Sequence, residues 1–160
     1  MKKQKVQVRE YRSGDAQALA NIYYNTIHKV NIQHYNLEQV NVWAPETSLD
    51  GNKWIKKFER TKPYVATVDE LIVGFAEFEP DGHIDCFYCR HDWIGRGVGS
   101  ALMNAIYKKA HDWKIKRLFA EVSITAKTFF EKQGFIINCE QTITRNGIDL
   151  INYKMEKNLY

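Results

Sequence analysis

The sequence predicts an α+β fold in which a mixed, largely antiparallel central sheet lies between helices. Apolar residues recur every three or four positions over residues 19–30, and strand-like alternation fills most of residues 64–78. Asn146-Gly147 near the carboxyl end is typical of a tight hairpin turn. The chain has 160 residues, of which 44% are hydrophobic. It can therefore bury one sizeable core, and we expect a single domain over residues 1–160.

The first part of the chain predicts one strand and three helices. Alternation indicates a strand over residues 6–11, and Ser13 is placed to cap a helix. The apolar residues of this helix form one face: Leu19, Ile22, Tyr23, Thr26, Ile27 and Val30. Asn36 with Gln39 forms a capping-box pattern for a short second helix ending before the next proline. Asp50 is expected to cap a third.

The middle of the chain predicts three consecutive antiparallel strands. Residues 64–68 and 71–78 alternate around a turn at Asp69 and Glu70. A Pro-Asp-Gly turn then leads into a third strand over residues 83–89. These strands form the predicted centre of the sheet.

The carboxyl-terminal part predicts alternating helices and strands before a final hairpin. The expected elements are a helix over residues 100–113, a strand over residues 118–124 and a helix over residues 125–133. Leu102, Ile106, Ala110 and Trp113 share one face of the first of these helices. Gly134 is expected to end the second helix. Two strands joined by Asn146 and Gly147 complete the chain, and they could pair across a dimer.

Charge and cysteine content restrict the classes of protein. The net charge of +4 permits anionic partners without requiring nucleic acid. An odd number of cysteines, three, favours a reducing compartment, so we expect a cytoplasmic protein. No apolar stretch follows the amino-terminal lysines, and we expect no export signal or membrane anchor.

A glycine-rich loop over residues 94–100, Ile-Gly-Arg-Gly-Val-Gly-Ser, lies between a predicted strand and a predicted helix. Glycines let backbone N–H groups approach a ligand, and a helix amino terminus favours negative charge. The loop therefore suits a phosphate or pyrophosphate, with Arg96 as a further donor, although it could simply connect two elements. Its letters match neither a P-loop nor a dinucleotide-binding fingerprint.

Three segments together resemble the GNAT superfamily of N-acetyltransferases: residues 84–89 (IDCFYC), residues 97–102 (GVGSAL) and residues 126–135 (AKTFFEKQGF). The resemblance covers nearly the whole chain. The bacterial YafP-type subgroup is the most similar, through residues 123–125, Gln33-His34-Tyr35 and Trp43-Ala44. It implies the GNAT acyl-CoA N-acyltransferase fold and direct transfer of an acetyl group from acetyl-CoA to a primary amine of a small molecule or protein.

The resemblance also implies which residues bind the cosubstrate. The amides of Phe87, Tyr88 and Cys89 would hold the pantetheine arm and polarise the acetyl carbonyl, and the amides of Gly95 to Ser100 would hold the pyrophosphate. The full implied set is Phe87, Tyr88, Cys89, Ile94, Gly95, Arg96, Gly97, Val98, Gly99, Ser100, Ser123 and Phe130.

Three positions depart from the family pattern. Ile94 replaces the usual Arg or Gln, Ser123 replaces a common asparagine, and Phe130 replaces the tyrosine that protonates the departing thiolate in many members. Phenylalanine cannot donate a proton. Tyr88 and Tyr153 are candidate substitutes, with water as the alternative, and either tyrosine could instead be an ordinary packed aromatic.

Asp85 is the leading candidate for the base that deprotonates the amine, because a carboxylate in an otherwise apolar strand is costly unless it is paired or used. His83, on the same face, is second, and Asp85 could instead serve a structural or substrate-positioning role. His83, Cys86, Cys89 and His91 also resemble a metal-ligating set. Strand geometry places Cys86 and Cys89 on opposite faces, so we expect no metal site.

The early helices and the last hairpin are expected to form the acceptor site. Its candidate residues are aromatic and histidine side chains that could equally be packing: Tyr23, Tyr24, His28, His34, Tyr35 and Trp43. Phe130 motivates a different function, a non-catalytic acyl-CoA binding module. The positive net charge motivates another, the acetylation of aminoacyl-RNA, although nucleic acid is not the expected partner. The oligomeric state is left open between monomer and homodimer.

Overall fold

Seven strands form one sheet in the order β1-β2-β3-β4-β5-β7-β6 in a computed structural model that describes residues 5–160. The strands are β1 (Gln7–Glu10), β2 (Tyr64–Val68), β3 (Leu71–Phe78), β4 (His83–Cys89), β5 (Arg117–Ser123), β6 (Ile136–Arg145) and β7 (Ile148–Asn158). The helices are α1 (Ala16–Lys29), α2 (Leu37–Trp43), α3 (Ile55–Thr61), α4 (Val98–Asp112) and α5 (Lys127–Lys132). All paired strands are antiparallel except β4 and β5, which confirms the predicted sheet.

Several short sequence patterns adopt the local structure that they predict. Asn36 and Gln39 make both hydrogen bonds of a capping box, at 2.8 and 2.9 Å, at the start of α2. Asn146 and Gly147 both adopt positive φ, 48° and 78°, as a type I′ turn requires. Asp50 differs from its prediction: by accepting from the Asn52 amide it caps a short 3₁₀ turn, Gly51–Lys53, whereas α3 begins only at Ile55, after Trp54.

The predicted starts of three helices were wrong by a few residues. Asp15, not Ser13, precedes α1, and its carboxylate binds Arg9 and the Arg12 amide instead of capping the helix. Helix α4 begins at Val98 rather than residue 100, because Gly97 already reverses the chain at a φ of 88°. Helix α5 begins at residue 127 rather than 125, after a turn held by residues 123–126.

Apolar side chains cover both faces of the sheet. One core contains residues of α1 to α3 packed on the sheet, including Leu19, Ile27, Val40, Phe58 and Phe75. The other contains residues of α4 and α5, including Leu102, Met103, Ile106, Phe130 and Phe135. Trp113 does not join the predicted helical face, since it follows the end of α4, is 44% exposed and stacks on Phe78. Within residues 5–160, no helix has both the length and the hydropathy needed to cross a bilayer.

The sheet opens between β4 and β5. These parallel strands pair only at their first residues, His83 with Phe119 and Ile84 with Ala120. On its other edge, β4 stays paired with β3 as far as Cys89, and β5 likewise stays paired with β7 as far as Ser123. The carboxyl-terminal halves of β4 and β5 therefore separate, and a cleft forms between them.

Candidate active site

A bulge in β4 places the side chains of Asp85 and Cys86 beside one buried carboxylate. The register of the β3–β4 ladder shifts between Ala76 and Phe78. Glu77 therefore lies opposite both Asp85 and Cys86, and this two-to-one opposition interrupts the alternation of faces. Ligand atoms of these three side chains lie within 4.8 Å of one another.

The Lys57 ammonium, from α3, lies among these three groups. Its Nζ is 3.0 Å from Glu77 Oε1, 3.1 Å from Asp85 Oδ2 and 3.8 Å from Cys86 Sγ. Burial opposes the charge on this lysine, but the acidic groups around it raise the pKa of Lys57 above its usual value. Burial and Glu77 raise the pKa of the Cys86 thiol, so the thiol stays protonated. Asp85 is the exposed end of this cluster, whereas Glu77 is fully buried.

His83 is held by two carboxylates. Its Nδ1 is 2.6 Å from Glu79 Oε1, and its Nε2 is 2.6 Å from Glu121 Oε2. Burial acts against the charged ring, but these two hydrogen bonds raise the pKa of His83 above its usual value. Both ring nitrogens are thus occupied by carboxylate partners, so His83 offers no free nitrogen to an amine in the cleft.

Alternate amides of β4 face the cleft. Arg90 N donates to Val73 O at 2.7 Å, and bonded pairs alternate along an antiparallel ladder. Tyr88 therefore directs its backbone groups toward β3, whereas Phe87 and Cys89 direct theirs away from it. The Cys89 carbonyl accepts from the Thr26 hydroxyl at 2.7 Å, which fastens the end of α1 to this strand. The implied role of the Tyr88 amide is not supported by this alternation.

The glycine loop leads into the amino terminus of α4. Gly95 and Gly97 have φ values of 76° and 88°, which side chains other than glycine rarely adopt. No side chain caps α4, so the first N–H groups of the helix remain free of a side-chain partner. Gly99 has a different reason to be glycine, since a Cβ there would lie 2.9 Å from the Phe129 ring. The backbone N–H groups of the glycine loop and of the first turn of α4 form a cradle of donors, and the Phe129 ring packs closely against it.

Two pockets meet at the mouth of the cleft. The smaller, of about 360 Å³, runs from the glycine loop to the end of β4, and all the implied cosubstrate residues except Arg96, Val98 and Phe130 line it. The larger, of about 580 Å³, lies over β4, β5 and the final hairpin, and Asp85 and His83 line it. Tyr88 and Ser123 line both pockets. A molecule in one pocket can therefore reach a molecule in the other at these two residues.

A family model described as an acetyltransferase (GNAT) domain matches residues 31–157. The chain belongs to the GNAT acetyltransferases. The uncharacterised N-acetyltransferase YafP of Escherichia coli (strain K12) is 31% identical over 150 residues, which are 94% of each chain. This similarity confirms the resemblance to the YafP-type subgroup.

Solved structures show the same GNAT fold. A GCN5-related N-acetyltransferase of Rhodopseudomonas palustris has a TM-score of 0.90 and 32% identity, covering 99% of both chains. The PaiA N-acetyltransferase of Thermoplasma acidophilum, solved in complex with coenzyme A, has a TM-score of 0.77 and 17% identity, covering 96% of this chain and 99% of its own.

The three implied GNAT residues outside the smaller pocket have other contacts. Phe130 is 3% exposed and packs edge-on against Phe87 and Phe135 in the core. Val98 is also buried, and its side chain packs in the core. The Arg96 guanidinium lies 3.9 Å from the centroid of the Trp93 ring. Phe129, which the sequence did not single out, lines the pocket instead of its neighbour.

The two candidate acids lie in different environments. Tyr88 reaches both pockets, and burial raises the pKa of its phenol well above the usual value. Tyr153 lines neither pocket and packs on the α4 face of the sheet, with Lys127 Nζ 5.1 Å from its ring. Of the two, only Tyr88 is placed where the pockets meet.

Two of the six predicted acceptor residues line the larger pocket, and four do not. Tyr35 and Trp43 line the larger pocket, with rings 5.2 Å apart. The remaining four have contacts elsewhere: Tyr23 donates to Trp43 O, Tyr24 stacks on His28, His28 contacts Ala44 O and His34 contacts the Thr125 hydroxyl. Most of the polar lining comes from β5 and from the final hairpin, a segment that the sequence predicts for the acceptor site without indicating which of its residues: Glu121, Gln141, Arg145, Asn152 and Lys154.

The histidine and cysteine residues near β4 do not converge. Cys86 belongs to the core on the α1 face, whereas Cys89 packs on the opposite core. Among the described residues, the group with metal-ligand spacing is Glu77, Asp85 and Cys86. The Lys57 ammonium already lies within 3.8 Å of each member, so a metal ion would have to displace a cation.

Proposed function

We propose that this chain acts as one acetyltransferase domain, which binds acetyl-CoA in the smaller pocket and transfers the acetyl group to a primary amine in the larger one. The observation that carries this proposal is the meeting of the two pockets at Tyr88 and Ser123. The outward-facing amides of Phe87 and Cys89 lie at the same place. A thioester and an amine held in these pockets would therefore be in contact.

The cradle suits the phosphates of coenzyme A. Free N–H groups at the start of α4 favour a pyrophosphate, and the positive φ of Gly95 and Gly97 lets the backbone approach it closely. Ile94 adds no charge, since it is an apolar side chain that is 50% exposed. The grip on the phosphates therefore comes from the backbone, with Arg96 directed toward Trp93.

The transfer needs three contributions from this chain. The amine nitrogen bonds to the acetyl carbonyl carbon, which places negative charge on the oxygen; the carbon–sulfur bond then breaks, and the charge leaves on the sulfur. The Phe87 and Cys89 amides are the donors for the oxygen. Asp85 accepts the proton that the amine loses, because it is the carboxylate at the bulge with an exposed face in the acceptor pocket.

Tyr88 supplies the proton to the departing sulfur. Burial keeps its phenol protonated, and it lines both pockets. It thus takes the role that Phe130 cannot perform. The demand on this acid is modest, because a thiol with a pKa near 8.5 is a fair leaving group.

Two further assignments belong to this proposal. The acceptor is a small molecule or a peptide, since a pocket of about 580 Å³ matches ligands of that size. All three cysteines are free, which agrees with a reducing compartment, and we place the protein in the cytoplasm.

Release of free coenzyme A, followed with a thiol reagent, tests the proposal. Acetyl-CoA is supplied with a panel of amines and peptides, and a thermal shift measures cosubstrate binding separately. We expect release that depends on the acceptor. A higher melting temperature without release on any acceptor would instead favour a non-catalytic acyl-CoA binding module, and no binding would contradict the assignment of the cradle.

A further inference from the structure

The larger pocket contains charges of both signs, but its ion pairs leave two of its cations without a carboxylate partner. Asp85 is paired with Lys57, and Glu121 is paired with His83. Arg145 and Lys154 also line the pocket, and none of the ion pairs among residues 5–160 includes either of them. The pocket therefore has two cations free to bind an anion.

We propose that the acceptor is a primary amine carrying an anionic group near the amine, a carboxylate or a phosphate, with Arg145 as its main partner. This inference rests on the proposed acetyltransferase function and names the substrate class of the same site. Arginine binds carboxylate and phosphate through two parallel hydrogen bonds, which also orients the ligand.

The position of Arg145 connects the anion site to the reacting centre. Arg145 is the last residue of β6, and its backbone lies opposite Ile148 across the final turn. This end of the hairpin lies beside the larger pocket, which Arg145 lines. Arg145 shares the larger pocket with Tyr88, the residue at which the two pockets meet. Burial raises the pKa of both Tyr23 and Tyr88, and the positive charge of Arg145 opposes that rise.

One small molecule can reach both groups. Asp85 and Arg145 line the same pocket of about 580 Å³, so an amine bound beside Asp85 and an anion bound beside Arg145 can belong to one compact acceptor such as an α-amino acid. Lys154, whose backbone lies opposite that of Glu121 in the β5–β7 ladder, adds a second positive charge to the pocket. Diamines and polyamines would bring a further cation to these two residues and are disfavoured.

Matched pairs of amines test the inference with the full-length protein and acetyl-CoA. Phenylalanine is compared with phenethylamine, and phosphoethanolamine with ethanolamine, by the initial rate of coenzyme A release. We expect kcat/KM to be at least about tenfold higher for the anionic member of one pair, as a charge-assisted hydrogen bond allows. Which pair shows the preference identifies carboxylate or phosphate as the anion.

Arg145→Gln supplies the decisive comparison. In this variant we expect the ratio within the preferred pair to fall toward one, mainly through a higher KM for the anionic member. Arg60→Gln is the matched control, because Arg60 is an exposed arginine of α3 that lines neither pocket, and it should keep the ratio.

The outcomes separate this inference from the proposed function. Coenzyme A release with a ratio near or below one in both pairs would overturn the anion site while leaving the acetyltransferase proposal intact, and so would a ratio that Arg145→Gln does not change. Absence of release with every amine would contradict the proposed function itself.

Discussion

Lys57 and Glu77 form an ion pair at 3.0 Å in which the carboxylate is fully buried and the lysine side chain is 32% exposed. The same ammonium lies 3.1 Å from Asp85. Lys57 thus joins a charge in the core to the carboxylate that faces the acceptor pocket. Replacing Lys57 or Glu77 should therefore change the electrostatic environment of Asp85 as well as the stability of the core.

Removing the lysine should destabilise the protein strongly. Lys57→Met leaves Glu77 buried without its cation, and breaking a buried pair from one side costs about 3 kcal/mol or more. Urea unfolding measures the loss. Lys56→Met, a change of the exposed neighbour, is the control and should alter stability by no more than about 0.5 kcal/mol.

A second variant shows whether the loss comes from the stranded charge. Lys57→Met combined with Glu77→Gln removes both charges and should recover most of the lost stability. If Lys57→Met alone unfolds at the same urea concentration as the unchanged protein, the pair has no structural role.

The comparison of Asp85 with Lys57 shows how far the sequence alone can lead. Asp85 stood out because it interrupts an apolar strand, a local signal. Lys57 and Glu77 did not, because only the folded β-bulge and the packing of α3 bring them to Asp85. Arg145 and Lys154 were missed for the same reason, since strand pairing across the final hairpin places them in the pocket.

Elements with local chemistry were predictable. The hairpin over residues 64–78 and the capping box at Asn36 formed as expected, because each depends on residues close in sequence. The direction of a side chain in the core is decided by all of its neighbours. The resemblance to the GNAT family therefore indicated where the cradle lies in the sequence. It did not show that Phe129 lines the cradle while Phe130 is buried.

Asp85→Asn should lower kcat by about 100-fold or more if the carboxylate accepts the proton of the amine, with coenzyme A affinity unchanged. The pH dependence of kcat/KM should change in the variant as well. A higher KM with an unaltered kcat would show instead that Asp85 only positions the substrate. Asp112→Asn, at the exposed end of α4, is the control.

Tyr88→Phe should reduce kcat by about tenfold to 100-fold, since the departing sulfur then takes its proton from water. Tyr153→Phe removes the same hydroxyl from a residue that lines neither pocket and should keep the rate of the unchanged protein. Coenzyme A release under saturating substrates gives both values. Equal rates for the two variants would remove Tyr88 from the role of acid.

Gly99→Ala should weaken coenzyme A binding by about tenfold, and Gly99→Val more, because a Cβ lies 2.9 Å from the Phe129 ring and must displace it. Calorimetric titration with coenzyme A measures the dissociation constant. Adding Phe129→Leu to Gly99→Ala gives the new side chain room and should restore part of the affinity. Unchanged affinity in Gly99→Val would show that the cradle does not hold the cosubstrate.

Stability should decline with rising pH in a way that depends on His83. Burial acts against its charge, but Glu121 and Glu79 raise the pKa of folded His83 above the unfolded value of about 6.5. A raised folded pKa gives stability that is fully present below the unfolded value and is lost as pH rises through the folded value. The advantage of the unchanged protein over His83→Gln, about 1 kcal/mol below pH 6, should therefore shrink toward zero in alkaline solution. Urea unfolding across pH measures the difference, with His111→Gln on the exposed side of α4 as control. An advantage that stays constant across pH would mean that His83 is not held as an imidazolium between the two carboxylates.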